Sequence, residues 1–281
     1  MIKRLLSTVA LWSALIVAIY FWRLPALVCF ATVFSLMAQN ELYNLSKKLG
    51  WKAYRVFGLV IGGCLLLATS WHEFLHELTG GVVDDTVVLA IGCILGSLFG
   101  IRNRQIKDNF QRFGGTMIGL LLIPFMMSFH IRIAQLFPGD LVGPMTSLWV
   151  VGVAKFSDVG AFLSGSILGR NKMAPEISPS KTWEGLIGGI LLGCAMGYFV
   201  ALGFPDFFPA NFHPWIAGCC AIPIAAMAAF SDLFESVIKR QAGVKDSGNC
   251  IPGIGGAFDL LDSLLLSAPV AVFLLSFFAS P

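Results

Sequence analysis

Charge is scarce in this chain of 281 residues: Asp, Glu, Lys and Arg together make up 12%, against about a quarter in an ordinary soluble domain. With 57% hydrophobic residues and a mean hydropathy of +0.80, that scarcity excludes a conventional soluble enzyme and implies an integral membrane protein. The net charge of +3 is too small to argue for a nucleic-acid partner. Cysteine is present but unorganised. Cys29, Cys64, Cys93, Cys194, Cys219, Cys220 and Cys250 contain no Cys-x-x-Cys pair and mostly sit inside apolar runs, so they read as packing residues, not as a zinc site or disulfide framework. Repeats, low-complexity tracts and a segment polar enough for a soluble domain are also missing, which leaves one membrane domain over residues 1–281.

What remains is apolar sequence cut into membrane-length pieces. Runs long enough to cross a bilayer fall near 5–22, 24–45, 54–70, 85–101, 114–137, 143–168, 182–203, 212–238 and 260–280, predicting an all-α, polytopic protein of about nine transmembrane helices. The first run follows Lys3 and Arg4 like a signal peptide, but no small-residue cleavage site closes it, so it is read as a helix. Most of the Lys and Arg residues occupy alternate loops: Lys3–Arg4, Lys47–Arg55, Arg102–Arg112, Arg170–Lys181 and Lys239–Lys245. The positive-inside rule then predicts a cytoplasmic N-terminus and an outer C-terminus, in an inner membrane. Residues 1–137 carry little that is diagnostic; residues 143–281 carry the candidate chemistry.

The charges that do exist concentrate at one place. Asp232, Glu235, Lys239, Arg240, Lys245, Asp246, Asp259 and Asp262 follow one another within the last two runs and the loop between them. Ionised groups at membrane depth cost several kcal/mol each, so their presence there points to function. Asp232, Glu235 or Ser236, and Lys239 are spaced i, i+3/i+4, i+7, one stripe of a helix; Asp259 and Asp262 share a face in the same way. Carboxylates converging from two helices would repel one another, and a divalent cation is their natural partner. Between them, Gly243 to Gly256 offers a chain whose backbone N–H groups can approach an anion. A second polar loop runs through Arg170, Ser178, Ser180, Lys181 and Glu184; here Ser178 or Ser180 is expected to cap the next helix, with Glu184 in its first turn and Lys181 at an anion-favouring terminus.

These residues also resemble a known family. Ser236-Val-Ile-Lys239-Arg240, then Lys245-Asp246-Ser-Gly248, Pro252-Gly-Ile-Gly255-Gly256, Asp259 and Asp262-Ser263 are similar to the signature of the phosphatidate cytidylyltransferases, the CDP-diacylglycerol synthases. Asp158-Val-Gly-Ala-Phe and Ile177-Ser-Pro-Ser-Lys181-Thr-Trp-Glu184-Gly are similar to two further segments of that family. The resemblance implies transfer of a cytidylyl group from CTP to phosphatidic acid in the bilayer, giving CDP-diacylglycerol and pyrophosphate, with Mg2+ as cofactor and room for a second cation; a homodimer stays open. It implies that Asp232 and Asp259, with Asp262 assisting, hold the metal. Lys239, Arg240, Lys245 and Asp246 join them as catalytic residues, and Ser178, Lys181, Glu184, Ser236, Gly248, Gly255 and Gly256 bind substrate. The sequence departs from the family pattern at Ile254, where a His is usual, at Leu260, where an Arg is usual, and at Phe162, often a Tyr. A divergent relative with altered substrate or little turnover is therefore an alternative.

Two further motifs point to other classes. His72-Glu73-Phe-Leu-His76 is a literal His-Glu-x-x-His that could hold zinc in a membrane protease, but it ends the third run without a distal ligand. Lys155 and Asp158, at i and i+3, could be the midplane ion pair of a lipid or ion transporter; lining the same cavity as the acid cluster is the simpler reading.

Overall fold

The computed structural model describes residues 2–79, 85–102, 106–137, 140–251 and 255–278. Helix α1 spans Ile2–Lys48 in two arms, broken at Arg23, whose φ of 52° lies in the left-handed region, two residues before Pro25. Proline cannot donate the helical hydrogen bond at its position, so a break here has a local cause. Arg23 forms an ion pair with Asp140. There follow α2 (Arg55–Ser70), the short α3 (His72–Thr79), α4 (Asp85–Arg102) and α5 (Ile106–Leu120). A π-helical turn at Leu121–Phe125, containing Pro124, joins α5 to α6 (Met126–Gln135). The second half comprises α7 (Val142–Leu168), α8 (Trp183–Gly203), α9 (Pro214–Gln241), α10 (Ala257–Leu265) and α11 (Ser267–Ser276).

Each expected apolar run is helical over most of its described length, with departures at run ends and at Leu266, where the last run is divided into α10 and α11. Among the described residues, six helical stretches are long and apolar enough to cross a membrane: Ala10–Lys48, Asp108–Gln135, α7, α8, α9 and Ala257–Ser276; α2 and Thr86–Arg102 are shorter apolar helices. The protein is thus an all-α, multi-pass membrane protein, with bulky apolar side chains such as Val56, Ile167, Phe199 and Leu191 turned outward, as lipid exposure permits and water does not.

One feature outside the all-helical expectation is a small antiparallel hairpin, β1 (Lys172–Ala174) with β2 (Ser178–Thr182), in the polar loop before α8. It corrects the expected helix start. Ser178 and Ser180 lie on β2, and Thr182 is the residue that caps α8, its hydroxyl accepting from the Gly185 N–H at 3.1 Å. The extended strand carries the chain two to four residues past the serines before helical geometry begins.

α7, α8 and α9 form the tightest packed trio. α8 buries Gly185, Gly189, Gly193 and Gly197 along one stripe; with no side chains there, the backbones of α7 and α9 come close, which is how helices associate where lipid gives no hydrophobic drive. Trp149 of α7 donates its indole N–H to Gly197 O at 3.1 Å. A buried core drawn from both halves, including Leu42, Leu65, Ile131, Ala154, Ala228, Phe258 and Leu261, brings α1 and α10 together.

Candidate active site

The acids meet. α9 presents Asp232 and Glu235, α10 presents Asp262, and one carboxylate oxygen from each lies within 4.8 Å of the others; among the described residues this is the one group of three side chains disposed to hold a metal ion. Glu235 is 1% exposed, and its Oε1 has no hydrogen-bond partner. A buried carboxylate oxygen left unsatisfied is costly, so the donor set fits a hard cation with oxygen ligands.

Cations surround this group. Lys181 of β2 reaches Asp232 at 2.9 Å and Ala229 O at 3.2 Å. Lys239, one turn beyond Glu235, pairs with it and with Asp259 Oδ1, the latter at 2.7 Å. Lys155 of α7 contacts Asp262 at 3.4 Å, Asp158 at 3.6 Å and the Ser263 hydroxyl at 2.8 Å. The Lys155–Asp158 pair therefore adjoins the acid cluster, and of the two only Asp158 lines the cavity beside it. That cavity, of about 290 Å³, opens between α7, β2, α8 and α9, lined by Asp158, Phe162, Ser180, Lys181, Thr182 and Asp232 among others. A larger hollow of about 1280 Å³ surrounds Arg23, Trp71 and Asp140, but Val142 and Asp158 are separated by about 24 Å of helix at 1.5 Å per residue, so that hollow is remote from the acids.

Other expected residues take different places. Asp259 stands beside the cluster, not among its three oxygens. Its Oδ2 accepts from the Ser247 N–H at 2.9 Å and from the Gly256 N–H at 2.8 Å, closing the first turn of α10, and lies 2.9 Å from the Ser247 hydroxyl. Arg240 is exposed and holds loops, donating to Ile177 O at 3.2 Å and Val244 O at 3.0 Å. Glu184 turns back on the hairpin, accepting from the Arg170 and Asn171 N–H groups and, at 2.7 Å, from the Asn171 amide. Ser236 is buried, while Lys245 and Asp246 are exposed on the loop. Gly255 has φ +123°, a backbone that side chains rarely adopt, and a Cβ there would meet Asp259 Oδ2 at 2.7 Å. Leu260 is 3% exposed, an apolar side chain fitting its buried face of α10; Ile254 lies outside the described residues. On α3 the His72 and His76 rings stand 6.0 Å apart, and the side chain of Glu73 lies outside the described set.

Sequence reasoning missed Glu41. This acid of α1 is 8% exposed and accepts four hydrogen bonds: from the Ala257 and Phe258 N–H groups at 3.0 Å, the Ser247 hydroxyl at 2.7 Å and the Cys250 thiol at 3.2 Å. With Asp259 it takes up the N–H groups of Ser247 and Gly256, two of the donors the glycine-rich loop was expected to offer a substrate anion, and those of Ala257 and Phe258 at the start of α10. The available signal was a lone acid within an apolar run, a functional flag by itself. Cys250, outside the membrane-spanning helices, has its thiol pKa pushed up to about 11, first by burial and then by the Glu41 carboxylate.

With this geometry in view, similarity to known proteins is specific. A family model described as the cytidylyltransferase family matches residues 2–278. The chain is 42% identical over 128 residues to a phosphatidate cytidylyltransferase of Helicobacter pylori, an alignment covering 45% of each chain. It is 34% identical over 196 residues to one of Thermotoga maritima, covering 67% of this chain and 68% of the relative. With one of Mycobacterium leprae it shares 27% over 261 residues, covering 89% and 78%.

Proposed function

The chain belongs to the cytidylyltransferase family, and from that membership and the acid cluster we infer that it is a phosphatidate cytidylyltransferase, joining CTP and phosphatidic acid into CDP-diacylglycerol. In the reaction a phosphate oxygen of phosphatidic acid forms a bond to the α-phosphorus of CTP, and the bond from that phosphorus to the bridging oxygen breaks, releasing pyrophosphate. No nucleophilic side chain is required. The protein's work is to position two anionic reactants and neutralise their charge.

The residues present suit that work. Asp232, Glu235 and Asp262 would hold Mg2+, with Asp259 organising the helix beside them. Bound there, a divalent cation neutralises phosphate charge and polarises the phosphorus. Lys181 and Lys239, each already against a carboxylate at the cluster's edge, can shift to phosphate oxygens as point charges. Phe162, which lines the cavity and is 71% exposed, is an apolar side chain suited to contact the lipid reactant. Nine crossings, with the cytoplasm on the side of Lys47, Lys48, Arg170, Lys172 and Lys239–Lys245, would put the site where CTP is; a bacterial inner membrane accords with this.

The observation that carries the reading is the convergence of the three carboxylates from α9 and α10, ringed by lysines beside a cavity. It is tested by supplying radiolabelled CTP and phosphatidic acid to the purified protein with and without Mg2+. Label should enter lipid only with the metal, and Asp232→Asn should stop it while the protein still inserts and folds. Movement of lipid or ions across vesicles with no CTP consumed would establish the transporter instead, and full turnover by Asp232→Asn would overturn the metal assignment.

A further inference from the structure

The geometry points to Glu41 as a positioning residue of the transferase site: from α1 it fixes the start of α10, and through it the reach of Asp259 and Asp262. This rests on the site reading given above.

All four of its hydrogen-bond donors are uncharged and come from one segment, Ser247 to Phe258, 206 positions away at its near end. A buried carboxylate is tolerable only when its oxygens are satisfied, and here that satisfaction depends on one placement of Ser247, Cys250 and the first turn of α10. The positive end of the α10 helix dipole adds to the attraction. The loop is shaped around the acid: a Cβ on Gly256 would overlap a Glu41 oxygen, and one on Gly248 would lie 2.5 Å from the other. Ser247 ties the two carboxylates together, its hydroxyl within hydrogen-bond reach of both Glu41 at 2.7 Å and Asp259 at 2.9 Å.

The consequence lies a turn further on. Asp259 and Asp262 are two and five residues past Ala257, so a shift of the first turn of α10 moves both. Asp262 is one of the three oxygens of the cluster, and Asp259 is what Lys239 holds on its far side. Because Glu41 already occupies the amides of the first turn, it acts on the reaction through those acids and not by touching the nucleotide.

The test uses the full chain in lipid and compares wild type with Glu41→Gln, Glu41→Asp and Ser247→Ala. Glu41→Gln should lower kcat by about 100-fold, the scale of a misplaced catalytic group, at an unchanged KM for CTP, and should shrink the rise in Tm that Mg2+ produces. Glu41→Asp should recover part of both. A Glu41→Gln protein with wild-type kcat and wild-type response to Mg2+, or one whose only loss is Tm, overturns the proposal. If Glu41→Gln does not fold, Ser247→Ala decides: lower kcat at unchanged Tm supports the proposal and unchanged kcat refutes it. If wild type fails to consume CTP, the reaction reading fails, and alkylation of Cys250 then decides the Glu41 geometry. Faster labelling by iodoacetamide in Glu41→Gln supports it, and an unchanged rate refutes it.

Discussion

Asp262→Asn should make the metal-free protein more stable while abolishing its activity. In the acid cluster, two unit charges no more than 4.8 Å apart repel by about 3.5 kcal/mol or more at an effective dielectric constant of about 20. With all three carboxylates ionised, as a metal site needs them, Asp262 belongs to two of the three pairs and so carries about 7 kcal/mol of repulsion. Against that stands its attraction to Lys155 at 3.4 Å, about 5 kcal/mol on the same scale. Neutralising the side chain therefore leaves a gain of about 2 kcal/mol without metal, which corresponds to a rise in Tm of about 3 °C for a chain of this size. The cost appears when Mg2+ is added: one of three anionic ligands is gone, so the metal should stabilise the variant far less than wild type, and CTP-dependent lipid labelling should vanish. Thermal melts in chelator and in Mg2+, run beside the labelling assay, read all three effects. An Asp262→Asn protein that melts several degrees below wild type in chelator, or that keeps turnover, would refute the reasoning, because the cluster would then be held by its own internal pairing and not poised for a cation.

Two further outcomes are expected. Thr182→Ala removes the N-cap of α8 and should cost about 1 kcal/mol, visible as a lower Tm; Ser178→Ala and Ser180→Ala, on the strand and not at the cap, should leave Tm unchanged. Cys250, with its thiol pushed up to about 11, should alkylate slowly at pH 8, with roughly 100-fold less thiolate than an unperturbed cysteine. Its rate should climb as pH rises through 11, followed by peptide-resolved mass spectrometry; rapid labelling at pH 8 would contradict the Glu41–Cys250 contact.

Much of the molecule was legible from order and composition. Apolar length set where most of the long helices lie, since in lipid each backbone N–H and C=O must find a partner within its own segment, while α3 and the polar start of α5 fall outside the apolar runs. The stripe from Asp232 through Glu235 to Lys239 followed from helical spacing, and the Glu235–Lys239 pair obeys it. The family resemblance, carried by motifs in the second half, agreed with the family match over residues 2–278.

Other features depended on contacts between segments far apart in the chain. The β1–β2 hairpin moved the α8 cap from the serines to Thr182 because strand pairing, a local tertiary event, outcompeted the side-chain signal. Which acids share a metal-sized space was likewise a question of helix rotation and depth: i, i+3 spacing put Asp259 and Asp262 on one face, but the closing of the first turn of α10 drew Asp259 toward Ser247, Gly256 and Lys239, while Glu235 entered the cluster with Asp232 and Asp262. Glu41 shows the difference most sharply. The sequence by itself determined that a charge lies in an apolar helix; only the packing of α1 against α10 decided that its partners would be the amides of a loop more than two hundred residues away. Period and hydropathy act through neighbours along the chain, whereas a carboxylate's choice among distant donors is made when the helices dock.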